Sequence, residues 1–212
     1  MLTEYLDHFR ASWYDFIHNV DTCKEMPLTS LEVVGENKPF ASMYCPTLPK
    51  SMGVIFRHLE ERHRGTTFID VGCGKGLTLL VASRYRFQKV MGVEFSRTLH
   101  GIAETNLQNY RGARLCRNSE VLLLDAAEFQ FPPGPLLIYF FNPFKRPVME
   151  RVLSNLAGSL RADARDVTVV FDRMHDRELA LHFLQPQNIE TILGFSIYSH
   201  LQPPSKLSAA QT

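Results

Sequence analysis

The chain has no long apolar run, no paired cysteines and no excess of charge of one sign. Its longest unbroken apolar stretch runs from Leu136 to Phe141, far short of the roughly 20 residues a membrane helix needs, so no membrane partner is expected. The opening MLTEYLDHFR carries Glu4 and Asp7 where a secretory leader would be basic and then apolar. Cys23, Cys45, Cys73 and Cys116 are scattered without a CxxC pair, which argues against a zinc site or a disulfide framework. Buried or incidental thiols in a reduced, cytoplasmic compartment are expected, with no metal. Lys plus Arg number 23 against 22 Asp plus Glu, a net charge of +1. No long-range field therefore draws the protein to nucleic acid or an anionic surface, and any such partner must be recognised locally. No internal repeat or low-complexity block is present.

What remains is 212 residues, 45% of them hydrophobic, enough for one core carrying an extension. Over residues 1–64 the periodicity is helical. Leu2, Tyr5, Leu6, Phe9, Trp13, Phe16, Ile17 and Val20 recur at three- and four-residue steps, a stripe that either packs on the main domain or binds a partner. Thr29 to Val34 reads as a short strand. Pro49 suits a helix start, Met52, Ile55, Phe56 and Leu59 continue a stripe, and Gly65 is expected to end it. From residue 65 to 201 short apolar runs alternate with helical segments. Strands are expected at 67–71, 89–94, 120–124, 135–141, 166–171 and 195–200, and helices at 76–86, 96–109, 145–161 and 175–184. Runs such as LLIYFF and VTVVF are apolar at nearly every position, as parallel strands covered on both faces must be. The pattern is that of an α/β, doubly wound, mostly parallel sheet. Residues 202–212 read as a frayed tail.

The first strand of this pattern runs into a glycine loop, FIDVGCGKG, residues 68–76. Glycines at 72, 74 and 76 miss the G-x-G-x-x-G spacing of a dinucleotide loop, since Leu77 stands at its sixth position. A phosphate-binding loop fails too, because Lys75 precedes Gly76 and no Ser or Thr follows the lysine directly. A tight turn remains, one that lets a ligand approach the backbone closely, with the first amides of a helix aimed at a negative group. The second strand ends in Glu94 and the third in Asp125 followed by Ala126. Acidic side chains at strand ends can accept from hydroxyl and amino groups.

The run Asp70-Val-Gly-Cys-Gly-Lys-Gly76 resembles the [DE]-x-G-x-G-x-G loop of class I S-adenosylmethionine-dependent methyltransferases. The resemblance covers about residues 66–171 and implies a seven-stranded Rossmann-like sheet with S-adenosyl-L-methionine as cofactor. It implies that Gly72, Cys73, Gly74 and Gly76 wrap the methionine part and that Asp70 approaches its amino group. Glu94 would take the ribose hydroxyls, Asp125 the adenine amino group and the Ala126 amide a ring nitrogen. Tyr44, Pro46 and Thr47 are similar to a Tyr-x-Pro-Thr segment of bacterial relatives and would form a lid over the cofactor. Within the class, residues 68–96 look most like the branch with the non-SET histone-lysine methyltransferases and the lysine methyltransferases of the ATP synthase c subunit.

The fourth strand ends in Asn142-Pro143-Phe144, similar to the [DNS]-P-P-[YFW] of amino-methylating members but one proline shorter. The resemblance implies that Asn142 and nearby carbonyls accept from the target nitrogen while Phe144 packs over it. Read without it, Pro143 breaks the strand and Asn142 caps the following turn. No histidine sits beside these segments, so no general base is assigned, and His175 and His182 read as surface or packing residues. The acceptor is expected to be a nitrogen of a protein side chain or a small amine. A small-molecule O- or N-methyltransferase, a cofactor-binding module without activity, an NAD-dependent oxidoreductase and a nucleic-acid methyltransferase are the competing readings. Oligomeric state is not legible.

Overall fold

The computed structural model of the chain describes residues 2–40, 44, 49–62, 64–172 and 176–201. Cys45, Pro46, Thr47, His175 and the 202–212 tail lie outside them. Seven strands form one sheet: β1 (Thr67–Val71), β2 (Lys89–Glu94), β3 (Ser119–Leu123), β4 (Leu136–Phe141), β5 (Val167–Asp172), β6 (Asn188–Ile192) and β7 (Phe195–His200), in the order β3-β2-β1-β4-β5-β7-β6. The first five run parallel, and β7 returns antiparallel to both β5 and β6. This is the expected doubly wound, mostly parallel, seven-stranded fold.

Burial on both faces explains the unbroken apolar runs. All five residues of β1 are buried, as are the first five of β4 and of β5. One face packs on α2 (Pro49–His58), α3 (Leu77–Ala82) and α4 (Arg97–Asn109), which contribute Ile55, Phe56, Leu79, Leu80, Ala103 and Leu107 to its core. The other face packs on α5 (Arg146–Ala162) and α6 (Arg177–Leu184) through Val152, Leu153, Leu156, Leu179 and Ala180. Caps place the helix starts: Ser96 Oγ accepts from the Leu99 amide at 3.2 Å and Asp176 Oδ1 from the Leu179 amide at 3.0 Å.

Five details differ from expectation. Thr29 to Val34 is not a strand. Pro27 starts a 3-10 turn over Leu28–Ser30, with the Ser30 amide and hydroxyl both donating to the Pro27 carbonyl, and Val33 makes only an isolated bridge to Ser96. The α2 helix stops at His58 and a separate 3-10 turn follows at Glu60–Arg62, before Gly65 turns the chain at φ +72°. The α3 helix ends at Ala82 because the Ser83 hydroxyl turns back on the Leu80 carbonyl, and the Ser83 carbonyl accepts from Leu115 and Cys116. The strand β6 was not anticipated at all. The N-terminal stripe is split: Val20 packs against the core, whereas Trp13, Phe16 and Ile17 on α1 (Leu2–His18) are exposed and Tyr14, outside the stripe, packs in their place.

Candidate functional site

From β1 the sheet order steps to β2 and β3 on one side and to β4 and β5 on the other, which leaves a crevice beyond the carboxyl ends of the strands. A cleft with about 880 Å³ of empty space, part of it open to solvent, occupies that crevice.

The loop between β1 and α3 forms its floor. The Gly72 and Cys73 amides both donate to the Val93 carbonyl, at 2.9 and 3.1 Å, tying the loop down onto β2. Gly72, at φ +88°, lies so close to Pro143 that an added Cβ would stand 2.5 Å from the Pro143 Cβ. Gly74 lies against the Tyr44 ring, where an added Cβ would collide with a ring carbon. Gly76 performs a different task. It starts α3 in a left-handed conformation against Ala103 and does not line the cleft.

Three carboxylates from successive strand ends face this space. Asp70 is buried and accepts a short hydrogen bond from the Thr78 hydroxyl. Glu94, also buried, accepts from the Gly74 amide on Oε2 and the Ser96 amide on Oε1, each at 2.8 Å. It therefore staples the glycine loop to the start of α4. Burial pushes both carboxyls up to about 7; the Thr78 hydroxyl opposes the shift at Asp70, where the neighbouring Glu94 adds to it, and the backbone amides oppose it at Glu94. Asp125 caps a 3-10 turn at Ala126–Glu128, taking the Ala127 amide on Oδ1 at 3.0 Å and the Asn37 side-chain amide on Oδ2 at 2.7 Å. The Cys73 thiol lies against β2, where a Cβ on Gly92 would stand 2.6 Å from Sγ, and burial raises it well above its ordinary value.

Residues 31–40 form a strap across the carboxyl edge. The Val34 amide donates to the Phe95 carbonyl at 2.8 Å, the Arg97 amide to the Glu32 carbonyl at 2.8 Å, and the Lys145 amide to the Phe40 carbonyl at 2.7 Å. Tyr44 is held separately, its hydroxyl donating to the Thr22 carbonyl at 2.6 Å. Under it lies Lys75, 1% exposed, whose Nζ bonds Asp21 Oδ1 at 2.8 Å and sits 5.6 Å from the Tyr44 ring centre. The loop's one cation is thus turned away from the cleft.

At the end of β4, Asn142 is exposed and left-handed, at φ +39°, a conformation Asn tolerates better than most residues. Phe144 lines the cleft and meets Phe140 edge-on, ring centres 6.4 Å apart.

The cleft thus gathers Tyr44, Asp70, Gly72, Cys73, Gly74, Glu94, Asp125, Ala126, Asn142, Pro143 and Phe144 from the residues singled out in the sequence. Leu31, Asn37 and Tyr139 also line it and carry no sequence signal, because their positions depend on the strap and the sheet register. Among the described residues the charged side chains lining the cleft are those three carboxylates. Such a lining suits a ligand bearing positive charge and opposes a pyrophosphate.

No family model matches the chain, and no curated protein is similar to it in sequence. Solved structures share its fold. A Pyrococcus horikoshii protein provisionally named an RNA methyltransferase superposes with a TM-score of 0.55 at 15% identity, over 84% of this chain and 94% of that one. Magnesium protoporphyrin IX methyltransferase of Synechocystis, with S-adenosylmethionine bound, gives 0.52 at 15% identity, over 73% and 79%. A Listeria monocytogenes protein named from prediction an N6-adenine-specific DNA methylase gives 0.54 at 13% identity over 74% of this chain, which spans 52% of that protein. The likeness is one of fold.

Proposed function

We propose that the cleft binds S-adenosyl-L-methionine and that the protein transfers its methyl group to a nitrogen, on a lysine-like protein side chain or a small amine. Residues 65–201 form the binding domain and 1–64 its cover. The observation that carries this reading is the set of three carboxylates over a glycine loop whose lysine is withdrawn. The cofactor carries a sulfonium, an ammonium and a carboxylate. Two positive groups against one negative match an acidic cleft, whereas the pyrophosphate of a dinucleotide does not. The fold shared with cofactor-bound methyltransferase structures supports the same choice.

Each residue then has a physical task. Asp70 faces the ammonium. Glu94 uses two of its roughly four lone pairs on amides, which leaves acceptor capacity for the ribose diol. Asp125 and the Ala126 amide address the adenine edge. Tyr44 covers the methionine end and excludes water.

The cofactor supplies a methyl group that is already activated, so the protein's main contribution is alignment, worth roughly 7 to 11 kcal/mol where it is complete. The Asn142 side-chain oxygen, together with nearby carbonyls, accepts from the incoming nitrogen and points its lone pair down the line of transfer. A lysine-like amine, with an ordinary pKa near 10.4, must lose a proton to solvent before it can attack, and the acceptors at Asn142 then orient the N–H groups that remain. Phe144 and Pro143 wall the approach. The lysine-methyltransferase branch suggested by residues 68–96 agrees with this acceptor chemistry.

The test is transfer of a radiolabelled methyl group into a lysate of a strain lacking the gene, followed by separation of protein, small-molecule and nucleic-acid fractions. Label in protein or small amines is expected. Label confined to nucleic acid would overturn the acceptor assignment.

A further inference from the structure

The strap residue Asn37 stands 88 positions before Asp125 in the chain, yet its side chain lies against that carboxylate and lines the same cleft. We propose that Asn37 is a second reader of the adenine base, sharing the exocyclic amino group with Asp125 and so setting the cofactor's base specificity. This rests on the reading of the cleft as an S-adenosylmethionine site.

The orientation of the Asn37 amide is fixed by chemistry. An ionised carboxylate only accepts hydrogen bonds, so Nδ2 must be the atom at 2.7 Å from Asp125 Oδ2. The other amide atom, Oδ1, is a pure acceptor, and among the described residues nothing donates to it. Its position is fixed by the strap's backbone. On one side the strap is joined to the end of β2 through Val34 and Arg97, and on the other to the start of α5 through Lys145. Between them Gly35, at φ +74°, passes so close that an added Cβ would stand 2.6 Å from Asp125 Oδ2. The strap therefore presents Asn37 to Asp125 in a preorganised arrangement, with little ordering left to do on binding.

An amino group on a purine carries two N–H donors and is satisfied by two acceptors. Asp125 keeps lone pairs beyond those taken by Ala127 and Asn37, and Asn37 Oδ1 supplies the second acceptor. A base with a carbonyl at that position would bring an oxygen against two acceptor oxygens with no donor between them, and sites built on buried hydrogen bonds reject such analogues strongly. The strap thus reads the base as well as covering it.

Calorimetric titration of the full chain with S-adenosylhomocysteine and with S-inosylhomocysteine tests this. The parent should bind the adenine compound at least about a hundredfold more tightly. In Asn37→Ala, binding of the adenine compound should fall about tenfold while that of the inosine compound changes little, so the gap narrows. If Asn37→Ala, with an unchanged circular dichroism spectrum, keeps the parent's affinity and discrimination or binds S-adenosylhomocysteine more tightly, Asn37 is no reader and the proposal is overturned. Should that variant fail to fold, the parent with the N6-methyl analogue decides. With one donor removed, the analogue should bind about tenfold more weakly, and equal binding overturns the proposal. A parent that binds none of these compounds would instead overturn the cofactor reading itself.

Discussion

Asp125 and Asn142 lie at the ends of different strands and should fail differently. Asp125→Ala removes an acceptor from the proposed adenine edge and should weaken cofactor binding about tenfold or more by calorimetry. Asn142→Ala should leave that affinity within about twofold while slowing methyl incorporation into the labelled fraction. Gly72 makes a prediction of another kind. Its left-handed φ and its approach to Pro143 leave no room for a side chain, so Gly72→Ala should cost about 1 to 3 kcal/mol in urea denaturation. If the variant were as stable as the parent, the close packing of the β1 and β4 loops would be wrong. At this scale the sequence was informative wherever a residue's task is local. Asp70, Glu94 and Asp125 sit at strand ends, and strand ends can be read from apolar runs. Asn37 and Lys75 were not legible, since the role of each comes from a partner far away in the chain, Asp125 in one case and Asp21 in the other.

The same division holds for elements. Strands β1, β4 and β5 were readable because burial on both faces makes them apolar at nearly every position. The β6 strand was not, because it is an edge strand of sequence NIETI, mostly exposed, joined to β7 through Leu193 and Gly194, both at positive φ. A leucine there, 75% exposed, gives none of the Asn or Asp signal such hairpins usually carry. The strap escaped notice for a related reason, having one isolated bridge and no ladder. Its neighbour, the segment around Asp21, is fastened by Asn106, whose side chain accepts from the Asp21 amide and donates to the Asp21 and Lys75 carbonyls at 2.8 to 2.9 Å. Asn106→Ala should therefore loosen the cover more than the sheet. Hydrogen exchange is expected to quicken over residues 19–27, around the released Asp21 amide, while β1 and β4 keep their protection. Uniform acceleration across the chain would contradict a separable cover.

Across the whole molecule, two buried carboxyls at about 7 couple pH to stability and to binding with opposite signs. Asp70 and Glu94 ordinarily ionise near 3.8 and 4.5, so between about 4 and 7 the folded protein holds protons that the unfolded chain has lost. Their contribution to stability is complete below that window and falls away as pH rises through 7. Ionised, Asp70 pairs with the ammonium and Glu94 adds negative charge beside it, so affinity should instead grow as pH climbs from 6 to 8, and the thermal stabilisation given by S-adenosylmethionine should grow with it. No helix among the described residues is long and apolar enough to cross a membrane. The central claim is that an acidic cleft at the sheet edge holds an adenosyl sulfonium cation, and calorimetry of the unmodified chain at pH 6 and pH 8 tests it most directly. Saturable one-site binding of S-adenosylmethionine, tighter at pH 8, with no heat from NADH, is the predicted result. Binding of NADH in its place, or no binding of S-adenosylmethionine at either pH, would contradict it.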